Sequence, residues 1–110
     1  MRTTLSETLD RVRTLIGARE VRVSRHAVQE LAADAILLDD LLAGVAEAVP
    51  VEDYPAAFKG PTVLALQRDR DGKPLHVVWG LAKSGPGPAV LVTAYRPNPR
   101  RWSADFLTRR

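Results

Sequence analysis

Thr62-Val63-Leu64-Ala65-Leu66-Gln67-Arg68 and Leu75-His76-Val77-Val78-Trp79-Gly80-Leu81, joined through Asp71-Gly72, decide the fold of this chain. An Asp-Gly pair between two apolar runs predicts a hairpin, because both central residues of a type I′ turn need positive φ. With Asp71 and Gly72 as the two loop residues, Arg70 faces Lys73, Arg68 faces Leu75, Gln67 faces His76, Leu66 faces Val77 and Leu64 faces Trp79. Leu64, Leu66, Leu75, Val77 and Trp79 then share the core face. Val63, Ala65, Gln67, His76, Val78 and Gly80 share an open, more polar one.

Upstream of the hairpin the period is helical. Leu5, Leu9, Val12 and Ile16 form one face after a Thr3-Thr4 cap, and Gly17 closes the run. A short extended piece over residues 20–23 leads to Ser24, an N-cap for a second helix whose face is Val28, Leu31 and Ala32, with His26 in its first turn. A third helix is expected from Asp39 or Asp40 through Ala48, burying Leu41, Leu42 and Val45 before Pro50. Residues 51–54 read as a short strand, and residues 89–95 as a last strand after the Gly85-Pro86-Gly87-Pro88 loop, with Tyr95 on the same face as His76. The order predicts an α+β fold in which N-terminal helices pack on one face of an antiparallel, about four-stranded sheet.

A chain of 110 residues, 45% hydrophobic, suits one domain with one core. There is no cysteine, hence no disulfide framework and no thiolate zinc site. No apolar run approaches the roughly 20 residues that span a bilayer, and residues 1–7 lack the apolar segment of a signal peptide. The expectation is a soluble, cytoplasmic protein without a membrane partner. The net charge of +3 is unevenly spread. Residues 1–25 carry six arginines against three acids, residues 26–57 seven acids and no Lys or Arg, and residues 58–110 ten cations against three acids. The basic C-terminal half has the charge of a polyanion-binding surface, and the acidic middle that of a protein-facing or solvated helix surface.

His26 and His76 are the only histidines. Singly, these two residues, Tyr95 and Trp102 read as ordinary surface or packing side chains. In combination they fit RNA cleavage, which needs a base for the 2′-hydroxyl, an acid for the leaving oxygen and cations for the phosphorane. Two His, or His with Tyr, supply the proton chemistry, and Arg25 or Arg96 the charge. Two widely separated histidines give no metal-ligand spacing, so neither a metal nor a cofactor is called for.

The phrases Ser24-Arg25-His26-Ala27, Asp40-Leu41-Leu42, Glu52-Asp53-Tyr54-Pro55, Asp71-Gly72-Lys73-Pro74-Leu75-His76-Val77-Val78 and Val92-Thr93-Ala94-Tyr95-Arg96-Pro97, followed by Trp102, occur in order. Together they resemble the bacterial domain-of-unknown-function family DUF 4258, over roughly residues 20–102. That family is similar to ribonuclease toxins of the RelE and MqsR type. The resemblance implies a RelE-like fold and a toxin-like, metal-independent endoribonuclease cleaving RNA by acid-base transesterification. It makes His26, His76 and Tyr95 the catalytic positions, with Arg25, Gln67, Thr93, Arg96 and Trp102 as substrate-binding candidates. The implied partners are RNA and a cognate antitoxin protein. Family members commonly carry arginines in the helix after the first histidine, where this chain has Glu30 and Asp34. Either Arg25, Arg96 and Arg100-Arg101 take over that charge, or the chain is a catalytically degenerate RelE-fold module binding RNA or a protein partner. The catalytic reading requires both imidazoles to line one open, basic cleft.

Overall fold

The computed structural model describes residues 5–110. Helix α1 (Glu7–Gly17) starts at Ser6, whose Oγ accepts from the Leu9 N–H at 3.1 Å. The expected Thr3-Thr4 cap lies outside the described residues. Strand β1 (Val21–Val23) runs into helix α2 (Arg25–Ala33), capped by Ser24, whose Oγ accepts from the Ala27 N–H and donates to the Val92 carbonyl at 2.8 Å. Helix α3 (Leu38–Gly44) continues as a 3-10 turn, Val45–Glu47, shorter than one helix to Ala48. Arg13 of α1 donates from Nε to the Val45 carbonyl at 3.0 Å and from Nη2 to that of Ala48, satisfying carbonyls that the end of the turn leaves open.

Four further strands follow: β2 (Val49–Tyr54), β3 (Thr62–Arg68), β4 (Pro74–Gly80) and β5 (Ala89–Tyr95). The sheet order is β1-β5-β4-β3-β2, antiparallel throughout except for β1, which lies parallel to β5. The fold is α+β as expected, with five strands in place of about four. The extra strand is the extended piece at residues 21–23, paired across a long connection that sequence periodicity does not reveal.

The hairpin register departs by one residue from the expected one. Gln67 faces Leu75, Leu66 faces His76, Leu64 faces Val78 and Val63 faces Trp79. The cause is Asp69. Its N–H donates to the Lys73 carbonyl at 3.0 Å, and its Oδ1 accepts from the backbone N–H groups of Asp71 and Lys73 at 2.9 Å each. The loop is therefore Arg70-Asp71-Gly72, three residues long, with only Gly72 at positive φ (79°). A one-residue slip exchanges the faces. Val63, Ala65 and Gln67 join Leu75, Val77 and Trp79 beneath the helices, whereas Leu64 and Leu66 project with His76 and Val78 on the opposite face.

The core lies between the helices and the first of these faces: Leu9, Val12 and Leu15 of α1, Ala27 and Leu31 of α2 and Leu41 of α3 meet Val63, Ala65, Val77, Trp79 and Leu91. Leu5, Val28 and Ala32, expected to face inward, are exposed: Leu5 precedes the Ser6 cap and lies outside α1, and α2 buries Ala27 and Leu31 instead. Gln67 is buried there. Its Oε1 accepts from the Trp79 indole N–H at 2.8 Å and its Nε2 donates to the Leu41 carbonyl at 3.0 Å. Among the described residues no helix is long and apolar enough to cross a membrane.

Candidate functional site

The face away from the helices collects the chemistry. Strand β4 presents His76 and strand β5 presents Tyr95 directly across from it, and Val78 pairs with Thr93 two residues along. A bulge between Val78 and Trp79 sets this register, because Val92 is unpaired between Leu91 and Thr93. His76 Nδ1 lies 3.2 Å from the Tyr95 hydroxyl, and Nε2 lies 2.9 Å from the Phe106 carbonyl oxygen. A carbonyl only accepts, so Nε2 carries the proton and Nδ1 accepts from Tyr95. Trp102 packs edge-on to the imidazole with centroids 4.3 Å apart.

The C-terminal segment encloses this group. Residues 101–110 fold back on themselves, with Ser103 N–H donating to the Thr108 carbonyl at 2.8 Å and Arg110 N–H to that of Arg101 at 2.9 Å. Arg109 clamps the segment to the sheet. Its Nε and Nη2 bind both oxygens of Glu52 at 2.7 and 3.1 Å, and its guanidinium lies 4.7 Å from the centre of the Trp102 ring. His76 is fully buried and Trp102 nearly so. Burial, assisted by the positive charge of Arg109, lowers the imidazole pKa below its ordinary value, and burial raises that of the Tyr95 phenol. The hydrogen bonds from Arg109 hold the Glu52 carboxyl below its usual range. The result is a neutral imidazole against a protonated phenol, covered by the Trp102 ring and the Phe106 carbonyl.

The expected site residues are thus divided. His76, Tyr95 and Trp102 form one cluster, with Thr93 on the same face. His26 and Arg25 are exposed at the start of α2. Because His76 is fully enclosed, the two imidazoles do not share an open cleft. Gln67 does not face His76: the three-residue loop turns it to the helix side, where it serves Trp79 and Leu41. Arg96 is tied to Asp69 of the hairpin turn at 3.1 Å.

Sequence reasoning missed Glu52, Phe106 and Arg109. Glu52 sits in the quoted Glu-Asp-Tyr-Pro phrase, and Trp102 with Phe106 makes an aromatic pair in an otherwise polar tail. Those were the available signals. The Phe106 contact is made by a backbone carbonyl, which no side-chain pattern announces. Among the described residues no group of three or more His, Cys, Asp or Glu is arranged to hold a metal ion.

No curated protein and no solved structure matches the chain. The family model described as Domain of unknown function (DUF4258) matches residues 23–96, from the end of β1 to just past β5. The segment that covers His76 lies beyond that span. The chain belongs to the DUF4258 family.

Proposed function

We propose that this chain is a RelE-like module of the ribonuclease-toxin type, acting in the cytoplasm, that binds RNA and is closed to catalysis in its free form. One observation carries the closed state: both ring nitrogens of His76 are engaged within the protein and the ring is fully buried. A general base must reach its proton directly or through one water, and this ring has no open position for either. RNA as ligand is supported by the toxin-like phrases of the chain and by its basic C-terminal half. Of the ten cations after residue 57, only Arg70, Arg96 and Arg109 are in ion pairs among the described residues. The partners on this reading are RNA and a cognate antitoxin protein. For the latter, the acidic α2 and α3 region offers exposed Val28, Leu37 and Leu38.

The second reading, a metal-independent endoribonuclease, is favoured by the His76–Tyr95 contact. A neutral imidazole beside a protonated phenol is the state that general base and general acid require. It needs residues 101–110 to lift so that a 2′-hydroxyl can reach the ring. Nδ1 of His76, freed as the Tyr95 hydroxyl turns to the leaving oxygen, would then take the 2′-hydroxyl proton while O2′ bonds to phosphorus. The bond from phosphorus to O5′ breaks as Tyr95 gives its proton to O5′, leaving a 2′,3′-cyclic phosphate.

Purified full-length protein incubated with RNA in chelator distinguishes the two. The expected outcome is RNA retarded on a native gel and uncut. Metal-free cleavage that disappears in His76→Gln overturns the closed reading and establishes the nuclease.

A further inference from the structure

The opposite end of the same sheet face is open. A groove of about 400 Å³ lies over Thr62, Gly80, Val90 and Val92, with Arg22 and Lys59 among its lining residues and no carboxylate. Neither cation takes part in an ion pair among the described residues. Gly80 keeps the floor clear, since a Cβ there would come within 3.3 Å of the Val92 Cγ2. Beside the groove, adjoining Lys59 in the chain, Phe58 is 85% exposed, and the Lys83 ammonium stands 5.1 Å from its ring centre.

An aromatic ring held out in water, with one lysine over it and another next to it in the chain, is unfavourable for folding. The same arrangement suits a ligand that carries a flat, apolar face next to negative charge. We infer that this groove binds a single-stranded nucleic-acid segment, one unpaired base stacking on Phe58 while the neighbouring phosphates lie against Arg22 and Lys59. A base in a duplex has no free face to offer the ring, whereas an unpaired one stacks on it regardless of identity. The apolar floor of Val90 and Val92 accepts a sugar or second base, and the absence of carboxylates leaves the phosphates unopposed. This inference rests on the RNA-binding reading above and gives it a location some distance along the sheet from His76. Occupancy of the groove does not require the C-terminal segment to move.

The test is fluorescence anisotropy of labelled oligouridine and of a labelled RNA duplex with the full-length protein at low salt, about 50 mM. Oligouridine is expected to bind more tightly than the duplex. Phe58→Ala should weaken oligouridine about tenfold and leave the duplex unchanged. Arg22→Ala and Lys59→Ala should each reduce the slope of log affinity against log salt by about one. All three side chains are exposed, so the fold is retained. Lys73→Ala, at the far end of the hairpin, is the charge control and should have the smallest effect. If oligouridine binds but Phe58→Ala, Arg22→Ala and Lys59→Ala bind it as wild type does, the groove assignment is wrong while RNA binding stands. If wild type binds neither RNA, both fail.

Discussion

Replacing His76 by alanine is expected to free the C-terminal segment before it unfolds the sheet. The substitution removes the donor to the Phe106 carbonyl, the acceptor for the Tyr95 hydroxyl and the ring against which Trp102 packs. Among the described residues, the side-chain tie from residues 101–110 to the sheet that survives is the Arg109–Glu52 pair, whose arginine is largely exposed, and such pairs contribute little by themselves. Lost packing and two half-buried groups without partners together cost about 2–4 kcal/mol. That is a large share of the stability of a domain this size. Urea unfolding should report the loss, and trypsin should cut at Arg100, Arg101 or Arg109 in the variant well before it cuts wild type. His76→Gln, which can still donate to Phe106, should recover part of both. A C-terminal segment equally resistant to trypsin in His76→Ala would mean that the histidine does not hold it.

Gln67→Leu is expected to be at least as damaging, for a reason unrelated to function. Leucine fills the space but leaves the Trp79 indole N–H buried with no partner and removes the Gln67 donor from the Leu41 carbonyl. The orphaned donor costs roughly 1–3 kcal/mol and the second lost hydrogen bond about 1 kcal/mol, so a loss of about 2–4 kcal/mol is expected in urea unfolding. Gln67→Glu keeps the acceptor for Trp79 but puts a carboxylate against the Leu41 carbonyl, and should be no better. A near-neutral Gln67→Leu would show that the network contributes little.

Both predictions turn on a register that the sequence reading placed one residue away from the observed one. Asp71-Gly72 marked the hairpin correctly, and alternation placed His76 away from the helices and Tyr95 beside it. The face of Gln67, Leu64 and Leu66 was lost because the Asp69 carboxylate, by binding two backbone N–H groups, favours the three-residue loop. Strand β1 has three residues, too few to show a period, and its partner lies 68 positions away (Val21 with Ala89). The open face expected around His76 is closed by a tail whose decisive contacts are a carbonyl oxygen and a cation over an aromatic ring. Neither follows any spacing rule. The groove was invisible for a related reason: Arg22, Lys59, Gly80 and Val92 come from four separate segments and meet only through the sheet order.

The closed state of His76 also has a pH signature. Its folded pKa lies below the ordinary 6.5, so the unfolded chain takes up this proton first. The stability that the neutral ring contributes is complete above about pH 6.5, and it declines as pH falls from there toward the folded value. The decisive measurement is the imidazole nitrogen-15 spectrum of His76 in the full-length protein, followed from about pH 8 to about pH 5. A protonated Nε2 and an unprotonated Nδ1 are predicted, with slow solvent exchange and titration below the ordinary 6.5. A ring that averages its tautomers, exchanges freely and titrates as an exposed histidine would contradict the closed site.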